Sequence, residues 1–193
     1  NGEDDIRQAR YAEFLTDKGA VFSNLKSIFV VPFMLTPGGA PEAPKWVHDL
    51  RLRFSLASVE WWINRGDPVP GHIYAVSVDW ARSPKGDFTV VSVFNVTLHR
   101  QEALFRWRGE EFPEQMEWAL AIQTHYGANQ AHCDANGMGE SMGDFMRRRH
   151  AVGYVAHRFG RNKADYVRKG QVLFQEAEVQ LIDCLTQRRE FED

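Results

Sequence analysis

The chain has 193 residues, 44% apolar and 25% charged, with a formal net charge of −3. That is the composition of one globular domain, with or without an appendage, and it excludes a disordered or collagen-like polypeptide. No run approaches the ~20 apolar residues of a membrane span, no secretory leader is signalled, and Cys133 and Cys184 are too few for a disulfide scaffold. A reducing cytosolic compartment is expected. The charge is uneven: residues 144–170 hold eight Lys and Arg against Asp144 and Asp165, so this window carries +6 and the rest −9. A basic segment in an acidic protein is a candidate phosphate-binding surface, or simply a solvated helix end.

In chain order, residues 3–15 read as a helix stopped by Gly19. Residues 36–45, rich in Pro and Gly, read as a loop. Leu50, Leu52, Phe54 and Leu56 alternate with polar residues and predict a half-buried strand. Gly66-Asp67-Pro68-Val69-Pro70-Gly71 is the strongest punctuation, and a boundary is expected there between residues 1–70 and 71–193. His72–Asp79 predicts a strand buried on both faces. The stretch Ser83-Pro84-Lys85-Gly86 predicts a turn, and Phe88–Val96 and Ala103–Arg108 predict two more strands, the three forming an antiparallel meander. Pro113–Tyr126 predicts a helix with Gly127 as its C-cap. Gln130–Asp134 and Val152–Ala156 predict strands. Met138, Met142, Phe145 and Met146 mark a helix between them. Asn162 and Asp165 resemble a capping pair opening a helix to about Gln175, followed by a short strand at Glu178–Ile182 and a short helix. Three strands followed by alternating helices and strands predict an α/β fold. Its mixed sheet would carry a three-strand antiparallel meander plus parallel strands, flanked by helices, in ribonuclease H-like order.

The chemistry centres on two carboxylates. Asp79 ends the first strand of the meander and Asp134 ends the fourth strand. In such a sheet these strands lie side by side, which brings the two acids together. Adjacent carboxylates repel unless a cation neutralises them, and an open site of hard oxygen ligands suits Mg²⁺ or Mn²⁺. A two-metal site of that kind activates water and stabilises the leaving oxygen of a phosphodiester. Asp87 opens the second strand as either a turn residue or an outer-shell acid near Asp79. Gly137 and Gly139, after Asp134, fit close backbone approach to a phosphate or a plain strand-to-helix turn. His125 and His132 read as surface or core histidines, because no second His or Cys has ligand spacing. The sequence contains neither a P-loop nor a Gly-x-Ser-x-Gly elbow.

Four segments carry a family resemblance. Tyr74-Ala75-Val76-Ser77-Val78-Asp79-Trp80-Ala81-Arg82, followed by Gly86-Asp87-Phe88-Thr89-Val90-Val91, resembles the opening of the nuclease domain of phage terminase large subunits. Cys133-Asp134-Ala135-Asn136-Gly137-Met138-Gly139-Glu140 resembles the segment after their fourth strand, and Asn162-Lys163-Ala164-Asp165 the start of their next helix. Residues 11–22 resemble the stretch joining their ATPase motor to the nuclease, whereas 25–70 resemble no part of it and read as a lineage-specific insertion. Ala81 stands where the family usually has Gly.

The resemblance implies a metal-dependent endonuclease cutting concatemeric double-stranded DNA during viral packaging in the host cytoplasm. Asp79 and Asp134 would be its catalytic and metal-binding acids. Arg147, Arg148, Arg149, Arg158, Arg161, Lys163, Arg168 and Lys169 would hold nucleic acid, in a salt-dependent way. It further implies an ATPase motor domain, a small terminase subunit and a portal as partners. The family's third acid is expected in a helix beyond Asp193, so that the domain here would stop short of its last helix. Within the sequence Asp183 is either a third metal ligand or a cap of the last short helix. Two other classes fit the same residues: another ribonuclease H-like nuclease, such as a resolvase or transposase core, and a non-catalytic DNA-binding module with an incomplete site.

Overall fold

The computed structural model describes residues 25–31, 44–54, 59–81, 87–134, 144, 147–148, 153–158 and 163–187. The helix expected at 3–15, the loop at 36–43, the turn at 83–86, the segment 135–143 and the residues Phe145 and Met146 lie outside these. The described elements are α1 (Leu25–Ile28), β1 (Phe29–Val31), α2 (Lys45–Phe54), β2 (Glu60–Ile63), β3 (Tyr74–Asp79), β4 (Thr89–Asn95), β5 (Arg100–Trp107), α3 (Phe112–Tyr126), β6 (Gln130–Asp134), β7 (Gly153–His157), α4 (Lys163–Gln175) and β8 (Leu181–Ile182).

Six strands form one mixed sheet in the order β2-β5-β4-β3-β6-β7. β3, β4 and β5 make the antiparallel meander, and β6 and β7 add to it in parallel with β3. The expected α/β architecture is therefore present. β2 pairs antiparallel with β5, and Trp61 and Ile63 enter the same core as the strands that follow. The loop at Gly66–Gly71 thus joins two strands of a single sheet.

Period-two burial explains the two faces. Tyr74, Val76 and Val78 of β3, Val91 and Val93 of β4, and Ala103, Phe105 and Trp107 of β5 point to one side. There they meet Trp118, Ala119, Ile122 and Tyr126 of α3, with the Trp107 and Trp118 rings 5.8 Å apart. α3 ends where expected: Gly127 has φ +61°, and its N–H closes the last turn. β3 is buried on this face only, since Ser77 and Asp79 are exposed on the other. It does not have the two covered faces its apolar content predicted, because the second face opens into a cleft.

The strand predicted from Leu50, Leu52 and Phe54 is instead part of α2. The Pro44 carbonyl accepts from the amides of Val47 and His48, which starts the helix, and Lys45 pairs with Asp49 one turn on at 2.6 Å. Trp46, Val47 and Leu50, spaced for one helical face, pack on the α3 side of the core. The alternation fitted both periods, and tertiary packing selected the helical one.

The second face is divided. β1 and β8 pair in parallel as a separate two-stranded sheet. Together with Trp62, Leu104 and Cys184 they form a cluster that covers β2 and β5 and reaches Val90 of β4. A neighbouring cluster joins Ile28, Phe29, Phe174 and Val179 under Phe94. Over β3 and β6, among the described residues, that face holds a cleft.

Candidate active site

Asp79 and Asp134 are the last residues of β3 and β6, which run parallel with Val78 opposite Cys133. Each aspartate lies one residue beyond that last register pair, at the same end of neighbouring strands. They head a cleft of about 660 Å³, walled by Ser77, Val90, Ser92, His132, His157 and, from α4, Lys163, Tyr166 and Val167. The Asp79 carboxyl is pushed above its ordinary value of 3.8, first by burial, then by the negative charge of Asp134 and of Asp87. The structure therefore brings Asp134 and Asp87 each within electrostatic reach of Asp79.

A hydrogen-bonded clip holds the backbone just after Asp79. The Ala81 N–H donates to the Thr89 hydroxyl at 2.9 Å, and that hydroxyl donates to the Gln115 side-chain carbonyl. The Gln115 amide in turn donates to the Glu110 carbonyl at 2.9 Å. Thr89 and Gln115 are fully enclosed, and Ala81 is buried, so its methyl group is accommodated. Next to it the Trp80 indole N–H donates to the Tyr154 hydroxyl at 2.9 Å, tying the end of β3 to β7. β6 and β7 pack tightly at their start, where a Cβ on Gly153 would lie 2.9 Å from the Asn129 carbonyl oxygen.

Asp183 follows β8, exposed, with its N–H donating to the Val31 carbonyl at 3.0 Å. It belongs to the β1–β8 pair, and a helical turn at 185–187 follows it. Among the described residues no three His, Cys, Asp or Glu side chains gather closely enough to hold a metal ion. The donor set is a carboxylate pair, which suits hard divalent cations that keep several waters.

Six of the eight expected cationic residues lie among the described residues. Arg158 is exposed directly after β7, Lys163 opens α4 and lines the cleft, and Arg168 and Lys169 are exposed on α4. Arg147 and Arg148 are exposed, with Arg147 paired to Asp144. Arg149 and Arg161 lie outside the described residues, as does Asn162.

The histidines divide. His125 stacks on Trp46, 4.0 Å between ring centres, away from the cleft. His132 stacks on His157 at 5.1 Å, with Nδ1 of the first 2.8 Å from Nε2 of the second, and His157 Nδ1 lies 3.3 Å from the Tyr166 hydroxyl. Such a contact needs one donor and one acceptor nitrogen, so both rings are not cationic together. Burial, and then His157, lower the His132 pKa. Sequence reasoning missed this pair because His157 lies 25 residues away on another strand. The available signal was that His132 and Asp134 alternate onto one face of β6.

The model of the terminase RNaseH-like domain family matches residues 76–184, more than half of the chain. The chain belongs to that family. Its fold is that of the large terminase nuclease from thermophilic phage G20c. The zinc-bound structure of that nuclease aligns at a TM-score of 0.68 and 17% identity, over 91% of this chain and 88% of that one. The magnesium-bound structure aligns at 0.65 and 18%, over 86% and 76%. The Thermus phage P74-26 large terminase nuclease domain aligns at 0.63 and 17%, over 90% and 77%. No curated protein sequence matches significantly. Among the described residues, no helix is long and apolar enough to cross a membrane.

Proposed function

We propose that this terminase domain is a metal-dependent endonuclease that hydrolyses phosphodiester bonds of concatemeric double-stranded DNA during phage genome packaging, in the host cytoplasm. The observation that carries this reading is the side-by-side placement of Asp79 and Asp134 at the head of an open cleft. The zinc, magnesium and cobalt found in structures of the G20c nuclease support it.

Asp79 and Asp134 would hold two Mg²⁺ or Mn²⁺ ions, whose charge removes the repulsion between the carboxylates. Bound there, two such ions supply an activated water and stabilise the leaving oxygen. Asp87, just before β4, would add further negative charge beside Asp79. The Thr89 clip keeps the Asp79 backbone from shifting. Arg147, Arg148, Arg149, Arg158, Arg161, Lys163, Arg168 and Lys169 would grip backbone phosphates, which makes binding salt-dependent and tolerant of sequence. An ATPase motor, a small terminase subunit and a portal would be its partners.

A supercoiled-plasmid assay in Mn²⁺ tests the proposal. Nicking is expected from the wild-type chain and is lost in Asp134→Ala. Equal nicking by the variant would remove Asp134 from the mechanism.

A further inference from the structure

The ladders place Glu60, Arg106, Val90 and Asp79 in one transverse line across the sheet. Glu60 faces Arg106, Arg106 faces Val90, and Val90 faces Asp79. Asp134, the next step after the Val78–Cys133 pair, faces His157. Directly opposed residues share a sheet face, so Arg106 points to the same side as Asp79. Two strand spacings of ~4.8 Å separate their backbones by about 10 Å. β3, β5, β6 and β7 also run the same way, so their carboxyl ends lie along one edge. Arg158 stands at one end of that edge, after β7, and Arg106 and Arg108 stand at the other, at the end of β5.

Both arginines are held against one ring. The Arg106 guanidinium lies 4.3 Å from the centre of Phe88 and that of Arg108 lies 5.0 Å from it. Arg106 also lies 5.7 Å from the Trp62 ring and is paired with Glu60, which fixes its orientation. Arg108 is exposed. A guanidinium resting on an aromatic face is pre-organised at little further entropic cost, and its planar fork of N–H donors matches a phosphate.

Resting on the endonuclease reading, we propose that Arg108, supported by Arg106 and Phe88, grips a DNA backbone phosphate on the β5 side of the acid pair. Arg108 lies two residues beyond Arg106, so a strand rising about 3.4 Å per nucleotide brings a phosphate roughly three or four nucleotides from the acids within its reach. The track then runs along the sheet edge with cations on both flanks, Arg108 on one and Arg158 with Lys163 on the other. It holds the cut strand from both sides.

The test is fluorescence anisotropy of a labelled DNA duplex, in EDTA to prevent cleavage, over a KCl series. Arg108→Ala is expected to weaken binding about three- to tenfold for every sequence and to lower the salt slope by about 0.9, the share of one phosphate. Arg108→Lys keeps the slope. Calorimetric Mn²⁺ binding stays unchanged in Arg108→Ala, which separates this phosphate contact from the metal site. Wild-type affinity and slope in Arg108→Glu would overturn the inference while leaving the endonuclease reading intact. Failure of the wild-type chain to bind any duplex would overturn the inference, and the plasmid assay in Mn²⁺ then decides the endonuclease reading separately.

Discussion

Asp79 and Asp134 end two neighbouring parallel strands, each one residue beyond the Val78–Cys133 pair. Nothing in the sheet requires two like charges there, and in the metal-free protein they oppose folding. Asp134→Asn is expected to stabilise the metal-free chain by about 1 kcal/mol, the scale of a like-charge contact near 4 Å in water. Urea unfolding in EDTA measures this, and a destabilised variant would count against the repulsion.

Titration of Asp79 gives a signed pH dependence. Its pKa is raised above 3.8 by burial and by Asp134 and Asp87, so the folded state holds this proton more tightly than the unfolded state. The stability contributed by this group is then greatest at acid pH, falls as pH rises past 3.8 towards the raised value, and does not return above it. Asp79→Asn removes that dependence. The difference in urea midpoint, variant minus wild type without metal, is expected to grow with pH across this window and then level off. A difference that shrinks would reverse the sign.

The Thr89 clip is testable by a near-isosteric change. Thr89→Val leaves the Ala81 N–H and the Gln115 side chain without their buried partner. Each unpaired group costs about 1–3 kcal/mol, so equilibrium unfolding is expected to show a loss of at least about 1 kcal/mol. Because the clip lies just after Asp79, metal affinity is expected to fall as well. Unchanged stability and affinity would show that the loop is held by other means.

Gly153→Ala places a methyl carbon 2.9 Å from the Asn129 carbonyl oxygen at the start of β7. Backbone must move to admit it, at about 1–3 kcal/mol, the usual cost of overpacking. A thermal melt checks this, with a lower midpoint expected.

Much of the fold was readable because local signals agreed with each other. The Gln130–Asp134 strand, the helix ending at Gly127, and the neighbouring placement of β3 and β6 follow from periodicity, a glycine C-cap and topology rules. The alternation at Leu50–Leu56 misled because seven residues do not separate the two periods once Trp46 and Val47 supply a helical face. β2 went unnoticed because four residues containing two tryptophans carry no alternation of their own. The neighbouring placement of Asp79 and Asp134 could be expected from strand ends combined with the sheet topology. The His132–His157 contact, the Thr89–Gln115 clip and the Phe88-bound arginines depend on cross-strand register, which no short window of sequence contains.

Mn²⁺ titration calorimetry on the wild type, Asp79→Ala and Asp134→Ala tests the shared carboxylate site most directly. The wild-type chain is expected to bind with measurable heat, and each single variant to lose that binding, because neither carboxylate suffices alone. Wild-type binding retained in both variants would contradict the account.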